Sequence, residues 1–214
     1  AESVIAVINV PESSIAREAD YVLPIHAGAE IGVASTKTFT CMLTVLFSLA
    51  TKAAIDRGRI SAEALPDLLR AFRALPGVFN SGLDRDESIA AAARQMAEAR
   101  DVLFLGRGAL YPIALEGALK LKEISYIHAE GYASGELKHG PIALIDKNVP
   151  VVVLAPKDAL FEKTISNMQE VMARGAKVCL ITDAAGAALA GAEVWKTIVM
   201  PEVESRLAPI LYTL

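Results

Sequence analysis

Cysteine, histidine and tryptophan are all scarce: the 214 residues hold two cysteines, three histidines and one tryptophan. Cys41 and Cys179 lie far apart, each inside an apolar run, which fits two buried thiols in a reducing compartment rather than a disulfide framework. With histidine and cysteine so scattered, the short ligand spacings of a zinc site are missing too. Runs of like charge are also absent. The 25 acids and 21 bases are interspersed and leave a net charge of −4, which excludes a nucleic-acid-binding stripe or a polybasic membrane anchor. The richest apolar stretch, 41–50, is broken by Thr44 and Ser48 and followed by Lys52, so it reads as too short and too polar to span a bilayer. No signal-peptide pattern opens the chain. The expectation is a soluble, cytoplasmic protein with no nucleic-acid or membrane partner.

What is present is an alternation of strand-like and helix-like segments in a chain that is 53% apolar, enough to bury a sizeable core in one large domain or two smaller ones. Two halves are expected. In the first, Val4 to Val10 is a β-branched run ended by Pro11, as in a parallel strand buried on both faces. Tyr21 to Ile25 reads as a second strand, and a small-residue loop leads into a helix from about Thr36 to Arg57, capped by Ser35 or Thr36. A helix from Ser61 is expected to falter at Pro76-Gly77, and the polar segment from Asn80 to Glu87 reads as the bridge between halves. In the second half, strands are expected at 102–106, 150–155, 177–183 and 195–200. Helices are expected at 86–99, from Pro112 to about His128, and at 158–174. Strand alternating with helix means a parallel sheet covered on both sides. The apolar helical start at Leu207 is expected to continue into a longer docked helix.

Three features could carry chemistry. Ligands in open α/β sheets sit at the carboxyl ends of strands, and Leu105-Gly106-Arg107-Gly108 leaves a strand at such a point, although a plain tight turn accounts for the glycines equally well. Glu116, Lys120, Glu123 and Ile127 are spaced 4, 3 and 4 apart and share one helix face. That stripe reads either as a solvated side with two ion pairs of roughly 0.3–0.5 kcal/mol each or, because the helix is apolar around much of its circumference, as a partly enclosed carboxylate beside an ammonium, suited to general-base work. The glycine-rich stretch from Gly131 to Asp146 carries His139 between charged neighbours. His26 and His128 read as ordinary polar side chains, and a lone loop histidine such as His139 is open to the same reading.

The stretch LGRGALYPIALEGALKLKEISYIHAEGYASGELKHGPIALID, residues 105–146, resembles the second sugar-isomerase (SIS) domain of the glucosamine-6-phosphate synthase family. AGAEIGVASTKTFT at 27–40 and MPEVESRLAPILYT at 200–213 resemble the first sugar-isomerase domain and the approach to the C-terminal tail. The resemblance implies two flavodoxin-like αβα three-layer domains with parallel sheets: a partial first copy over 1–80 and a nearly complete second over 81–214. It implies formation of glucosamine 6-phosphate from fructose 6-phosphate and glutamine-derived ammonia, with a sugar-phosphate substrate, a homodimer, a glutaminase domain in the full-length chain, and no cofactor or metal. By matching motif, Glu123 in KLKEIS is the base that moves a proton between C1 and C2, and Lys120 is its charged neighbour. His139 in ELKHGP assists ring opening, reaching the site of the adjacent subunit, while Val33 and Ser35 in GVAST contact the sugar. One carboxylate that accepts and returns a proton suffices for this chemistry.

The departures matter equally. The family's Ser/Thr-rich phosphate loop, its imine-forming C-terminal lysine and its glutaminase domain have no counterpart in these residues, so the chain by itself is expected to have little or no synthase or isomerase activity. Two other readings remain open: a stand-alone two-domain sugar-phosphate isomerase or deaminase, and a non-catalytic sugar-phosphate-binding regulator, against which Glu123 argues.

Overall fold

A computed structural model of the chain describes residues 2–84 and 86–214. It divides into two compact units, Ala1–Arg70 and Ala71–Leu214. The first holds β1 (Ile5–Ile8), α1 (Ser14–Glu18), β2 (Tyr21–Pro24) and α2 (Lys37–Asp56), while α3 (Leu65–Leu83) crosses from the first unit into the second. β1 and β2 pair in parallel, Ile5 opposite Tyr21. The second unit continues with α4 (Asp86–Met96), β3 (Asp101–Gly106), α5 (Leu110–Ser125), β4 (His128–Ala133), β5 (Val151–Leu154), α6 (Phe161–Met172), β6 (Val178–Asp183), α7 (Ala184–Leu189), β7 (Lys196–Met200) and α8 (Ala208–Leu211).

All five strands of the second unit run parallel in the order β4-β3-β5-β6-β7. This is the flavodoxin-like order, in which the chain winds outward in both directions from β3 and β5 and covers the sheet with helices. β5 is buried at every position, and the core beneath the helices gathers Leu105, Leu137, Val151, Val153, Met168 and Leu180. Cys179 belongs to the same buried strand system, and burial pushes its thiol up to about 11, with Lys196 nearby opposing the rise. Cys41, expected to be buried like it, is only half-buried on α2.

Several local expectations change. The helix expected to falter at Pro76 continues past it to Leu83, with Pro76 and Gly77 on the exposed side and Leu75 buried. The lost amide bond costs about 3 kcal/mol in an isolated helix, and packing offsets it. Most of the segment read as a polar bridge is therefore helical, with α3 reaching Leu83 and α4 starting at Asp86. α5 stops at Ser125, earlier than expected, because the Ser125 hydroxyl donates to Leu121 O (2.5 Å) and accepts from Ile127 N (3.2 Å), and Tyr126 turns left-handed at φ 62°. That leaves room for β4, which the sequence did not announce. Its segment, HAEGYA, has no β-branched residue. Its glycine is the reason it fits: a Cβ on Gly131 would lie 2.8 Å from the backbone of Leu115 in α5.

α2 also differs from expectation. It is a 20-residue helix, long and apolar enough by length and composition to cross a membrane. The interruptions at Thr44 and Ser48 are absorbed within the helix, where each hydroxyl donates to the carbonyl four residues back at 2.8 Å.

At Gly106 the strand turns so closely into α5 that a Cβ there would stand 2.1 Å from the backbone oxygen of Leu110. Gly106→Ala is expected to destabilise the protein by about 2 kcal/mol or more. Urea unfolding of the variant beside the parent sequence measures the loss.

Candidate functional site

α5 presents the charged stripe. Its opposite face is anchored on the sheet by Leu110, Ile113, Ala114 and Ala118, all buried. The 4 and 3 spacing then stacks Glu116, Lys120 and Glu123 along the other side. Lys120 Nζ lies 2.6 Å from Glu123 Oε2 and 3.4 Å from Glu116 Oε1. The side chains of Glu116 and Lys120 retain 21% and 22% exposure and that of Glu123 33%, so the stripe is neither freely solvated nor closed off. Burial works to lower the Lys120 pKa, but the hydrogen bond to Glu123 and the charges of Glu116 and Glu123 outweigh it and hold the group above its ordinary value. The ammonium therefore stays cationic throughout the neutral range. It gives Glu123 a fixed counter-charge while leaving one carboxylate oxygen outside that bond. Leu115, Leu119 and Ile124 lie exposed beside the stripe, so the carboxylate has apolar neighbours on a surface open to a ligand.

His139 ends a 3-10 turn, Ser134–His139, and its side chain is exposed. No hydrogen bond or ion pair joins it to Glu123 or Lys120 among the described residues. Its turn is nevertheless pinned to α6: Leu137 is fully buried in the core and Lys138 Nζ meets Glu170 Oε1 at 2.9 Å. Arg107, from the turn after β3, donates to Asn167 Oδ1 on the same helix (3.1 Å) and lies directly against Gly135. His128 takes the ordinary role, paired with Asp101 Oδ1 at 2.9 Å.

In the first unit, Val33 is almost fully exposed, and the Ser35 hydroxyl bonds the Thr38 hydroxyl. Neither Ser35 nor Thr36 caps α2 through its side chain. Glu30 does so instead, accepting from Thr38 N (3.0 Å) and Thr38 Oγ1 (2.5 Å), with Thr36 Oγ1 at 3.2 Å. The Thr38 hydrogen bond holds its carboxyl below the usual carboxylate range. No periodic signal ties Glu30 to a helix that begins seven residues later, which is why sequence reasoning missed it.

Two cavities lie elsewhere in the second unit. The larger, about 780 Å³, runs along the amino ends of the strands between Arg94, Arg100, Lys147, Lys177 and Trp195. The same edge carries the carboxylates of Glu98, Asp101 and Asp146 beside those bases, so the cleft is of mixed charge, and of the bases only Arg94 lies in the last turn of a helix. A second cavity, about 50 Å³, lies at the carboxyl ends of β5 and β6. Among the described residues, no group of three His, Cys, Asp or Glu side chains is placed to hold a metal ion.

The SIS-domain family pattern matches residues 1–52 and 95–214. The chain belongs to the SIS-domain family. Among relatives, the glutamine–fructose-6-phosphate aminotransferase (isomerizing) of Mesorhizobium japonicum is 58% identical over 209 residues, 98% of this chain and 34% of that protein. The enzyme of the same name from Zymomonas mobilis is 55% identical over the full chain and 35% of its own length. The chain thus spans about a third of the length of the curated relatives it matches. Among solved structures, the C-terminal domain of glucosamine-fructose-6-phosphate aminotransferase from Francisella tularensis superposes with a TM-score of 0.95 at 41% identity, covering 99% of this chain and 59% of that one. Glucosamine-6-phosphate deaminase from Thermotoga maritima superposes with a TM-score of 0.67 at 26% identity, covering 98% and 59%.

Replacing Lys120 by methionine leaves Glu116 and Glu123 without their common counter-charge, and about 0.5–1 kcal/mol of stability is expected to go with it at neutral pH. Because folding raises the Lys120 pKa from its ordinary 10.5, this contribution is complete below that value and disappears as pH climbs through the higher folded value. Urea midpoints of parent and Lys120→Met should therefore differ at neutral pH and converge once the pH has passed the raised folded value, above 10.5.

Proposed function

We propose that this chain is the isomerase portion of a glutamine–fructose-6-phosphate aminotransferase, acting on fructose 6-phosphate with glutamine as nitrogen donor. The observation that carries the reading is the Lys120–Glu123 contact at 2.6 Å, set on a helix of an SIS-domain chain whose relatives bear that enzyme's name. Glu123 takes the proton from C1 of the open-chain sugar; the electron pair left behind forms the C1–C2 double bond as the π pair of the C2 carbonyl, or of the imine made there with ammonia, moves onto its oxygen or nitrogen, which takes up a proton from solvent to give the enediol or enamine. Glu123 then returns its proton to C2 while the C1 hydroxyl releases its own to solvent and becomes the aldehyde, which completes the isomerisation and restores the carboxylate. Lys120 holds the carboxylate in place before and after transfer, its cationic state assured by the two flanking acids. His139 assists ring opening from an adjacent subunit of a homodimer, which its exposure and its rigidly pinned turn both suit. Val33 and Ser35 contact the sugar, and the exposed Val33 side chain is available to do so. We read residues 1–80 and 81–214 as two sugar-isomerase domains, a glutaminase domain as part of the full-length enzyme, and the cytoplasm as its compartment.

The deaminase likeness to the Thermotoga maritima protein invites a neighbouring reading, in which glucosamine 6-phosphate is consumed. Dependence on glutamine separates the two.

The test uses the Mesorhizobium japonicum enzyme with this chain substituted for its matching stretch. Glu123→Gln is expected to lower fructose 6-phosphate turnover by about 100-fold or more while changing sugar-phosphate affinity by less than about threefold. Turnover within about twofold of the parent hybrid would remove Glu123 from the role of base.

A further inference from the structure

The cavity at the carboxyl ends of β5 and β6 contains a feature that the sugar chemistry does not use. Tyr212, in the turn that closes α8, is 6% exposed. Its hydroxyl is buried and has no hydrogen-bonding partner among the described residues. A phenol hydroxyl taken from water without a replacement partner is strongly disfavoured, so a native fold supplies one. Tyr212 lines a cavity of about 50 Å³ together with Lys157, Asp158, Asp183 and Ser205.

The surrounding groups determine what can occupy it. Both oxygens of Asp183 accept backbone amides, Oδ2 from Lys157 N at 2.6 Å and Oδ1 from Gly186 N at 2.8 Å. Asp158 Oδ1 accepts Leu160 N at 2.8 Å. These bonds fix the two carboxylates while leaving lone pairs over, since each ionised carboxylate offers about four acceptor sites. Lys157 Nζ is engaged with Glu162 Oε1 at 2.9 Å. Burial first, then the charges of Asp183 and Asp158, push the Tyr212 phenol far above its ordinary range, so its hydroxyl keeps its proton and needs an acceptor. The guest must therefore accept one hydrogen bond from Tyr212 and donate to the carboxylates. Ammonium and alkali cations accept none, and an alcohol donates only one. Water accepts and donates twice. A site of about 50 Å³ is roomy enough, since a buried water needs roughly 10–15 Å³ and two to four polar partners.

We infer that this cavity is a fixed solvent site, in which ordered water bridges the Tyr212 hydroxyl to the carboxylates of Asp158 and Asp183. The bridge ties the segment 205–212, which follows the last strand, to the loop after β5 and the end of β6. That segment leads out of the sheet at the end where ligands of this fold class sit. The water thereby couples the order of the segment to the order of two strand-end loops.

The sign of one substitution tests the inference. If water bridges Tyr212, Tyr212→Phe removes one of its partners: the unfolding midpoint falls, and the residue-212 amide, bonded to Ala208 O at 2.9 Å, exchanges about five- to tenfold faster with deuterium. If the hydroxyl has no partner at all, Tyr212→Phe relieves a buried unsatisfied group, and an unchanged or raised midpoint overturns the inference. A high-resolution crystal structure of the unsubstituted protein decides independently of how the variant folds. A solvent peak about 2.6–3.2 Å from Tyr212 Oη and within bonding reach of either aspartate supports the site. A dry cavity overturns it, as does an anomalous rubidium peak there after soaking.

Discussion

The ammonium of Lys120, held between Glu116 and Glu123 on one face of α5, is the interaction on which the functional reading depends. Its strength is modest, as befits groups that keep a fifth to a third of their exposure, and its value lies in direction. Two acids on one cation define where each carboxylate sits and keep the cation charged. The partly enclosed setting makes this more than a solvated pair while leaving Glu123 within reach of a ligand. The geometry in turn depends on how closely α5 approaches the sheet. Gly106 lets the strand turn into the helix without colliding with Leu110, and Gly131 lets β4 pass under Leu115. Both glycines lie in the stretch that carries the stripe, so the packing of α5 and the chemistry it presents are parts of one local solution.

The second unit separates its two ends by physical role. At the amino ends of the strands, the larger cleft is lined by bases and acids together, Arg94, Arg100, Lys147 and Lys177 beside Glu98, Asp101 and Asp146. At the carboxyl ends, Arg107 reaches α6 from the turn after β3, the turn carrying His139 is pinned to that same helix, and the Asp158–Asp183–Tyr212 cavity closes the far side. Parallel strands send their loops to this end, and close-packed polar groups there set the positions of loops that hydrophobic contacts alone would leave free.

Much of this was legible in the sequence. The β-branched runs gave β1, β5 and β6 as strands, although β1 is exposed at Ile5 rather than buried on both faces, and the 4 and 3 spacing placed Glu116, Lys120 and Glu123 on one face before any distance was known, while Ile127, four further on, falls beyond the end of α5. What was hidden depends on contacts between distant residues. β4 is a strand because β3 pairs with it and Gly131 clears α5, not because HAEGYA favours extension. Pro76 lies inside α3 despite its missing amide, because burial of apolar neighbours such as Leu75 offsets a local cost that propensity registers by itself. Glu30 caps α2 from a loop, and Tyr212 meets Asp158 and Asp183 across long stretches of chain; neither follows from spacing along one element. The polar residues in α2 misled in another way, since Thr44 and Ser48 satisfy their hydroxyls within the helix and leave its length intact.

The most direct measurement of the central claim is a double-mutant cycle on fructose 6-phosphate turnover in the hybrid enzyme, combining Lys120→Met with Glu123→Gln. If Lys120 acts by holding Glu123, the double variant is expected to be no more than about threefold slower than Glu123→Gln alone. Losses that multiply in full would mean that the two residues act independently, and the account of a base set by its neighbouring ammonium would be wrong.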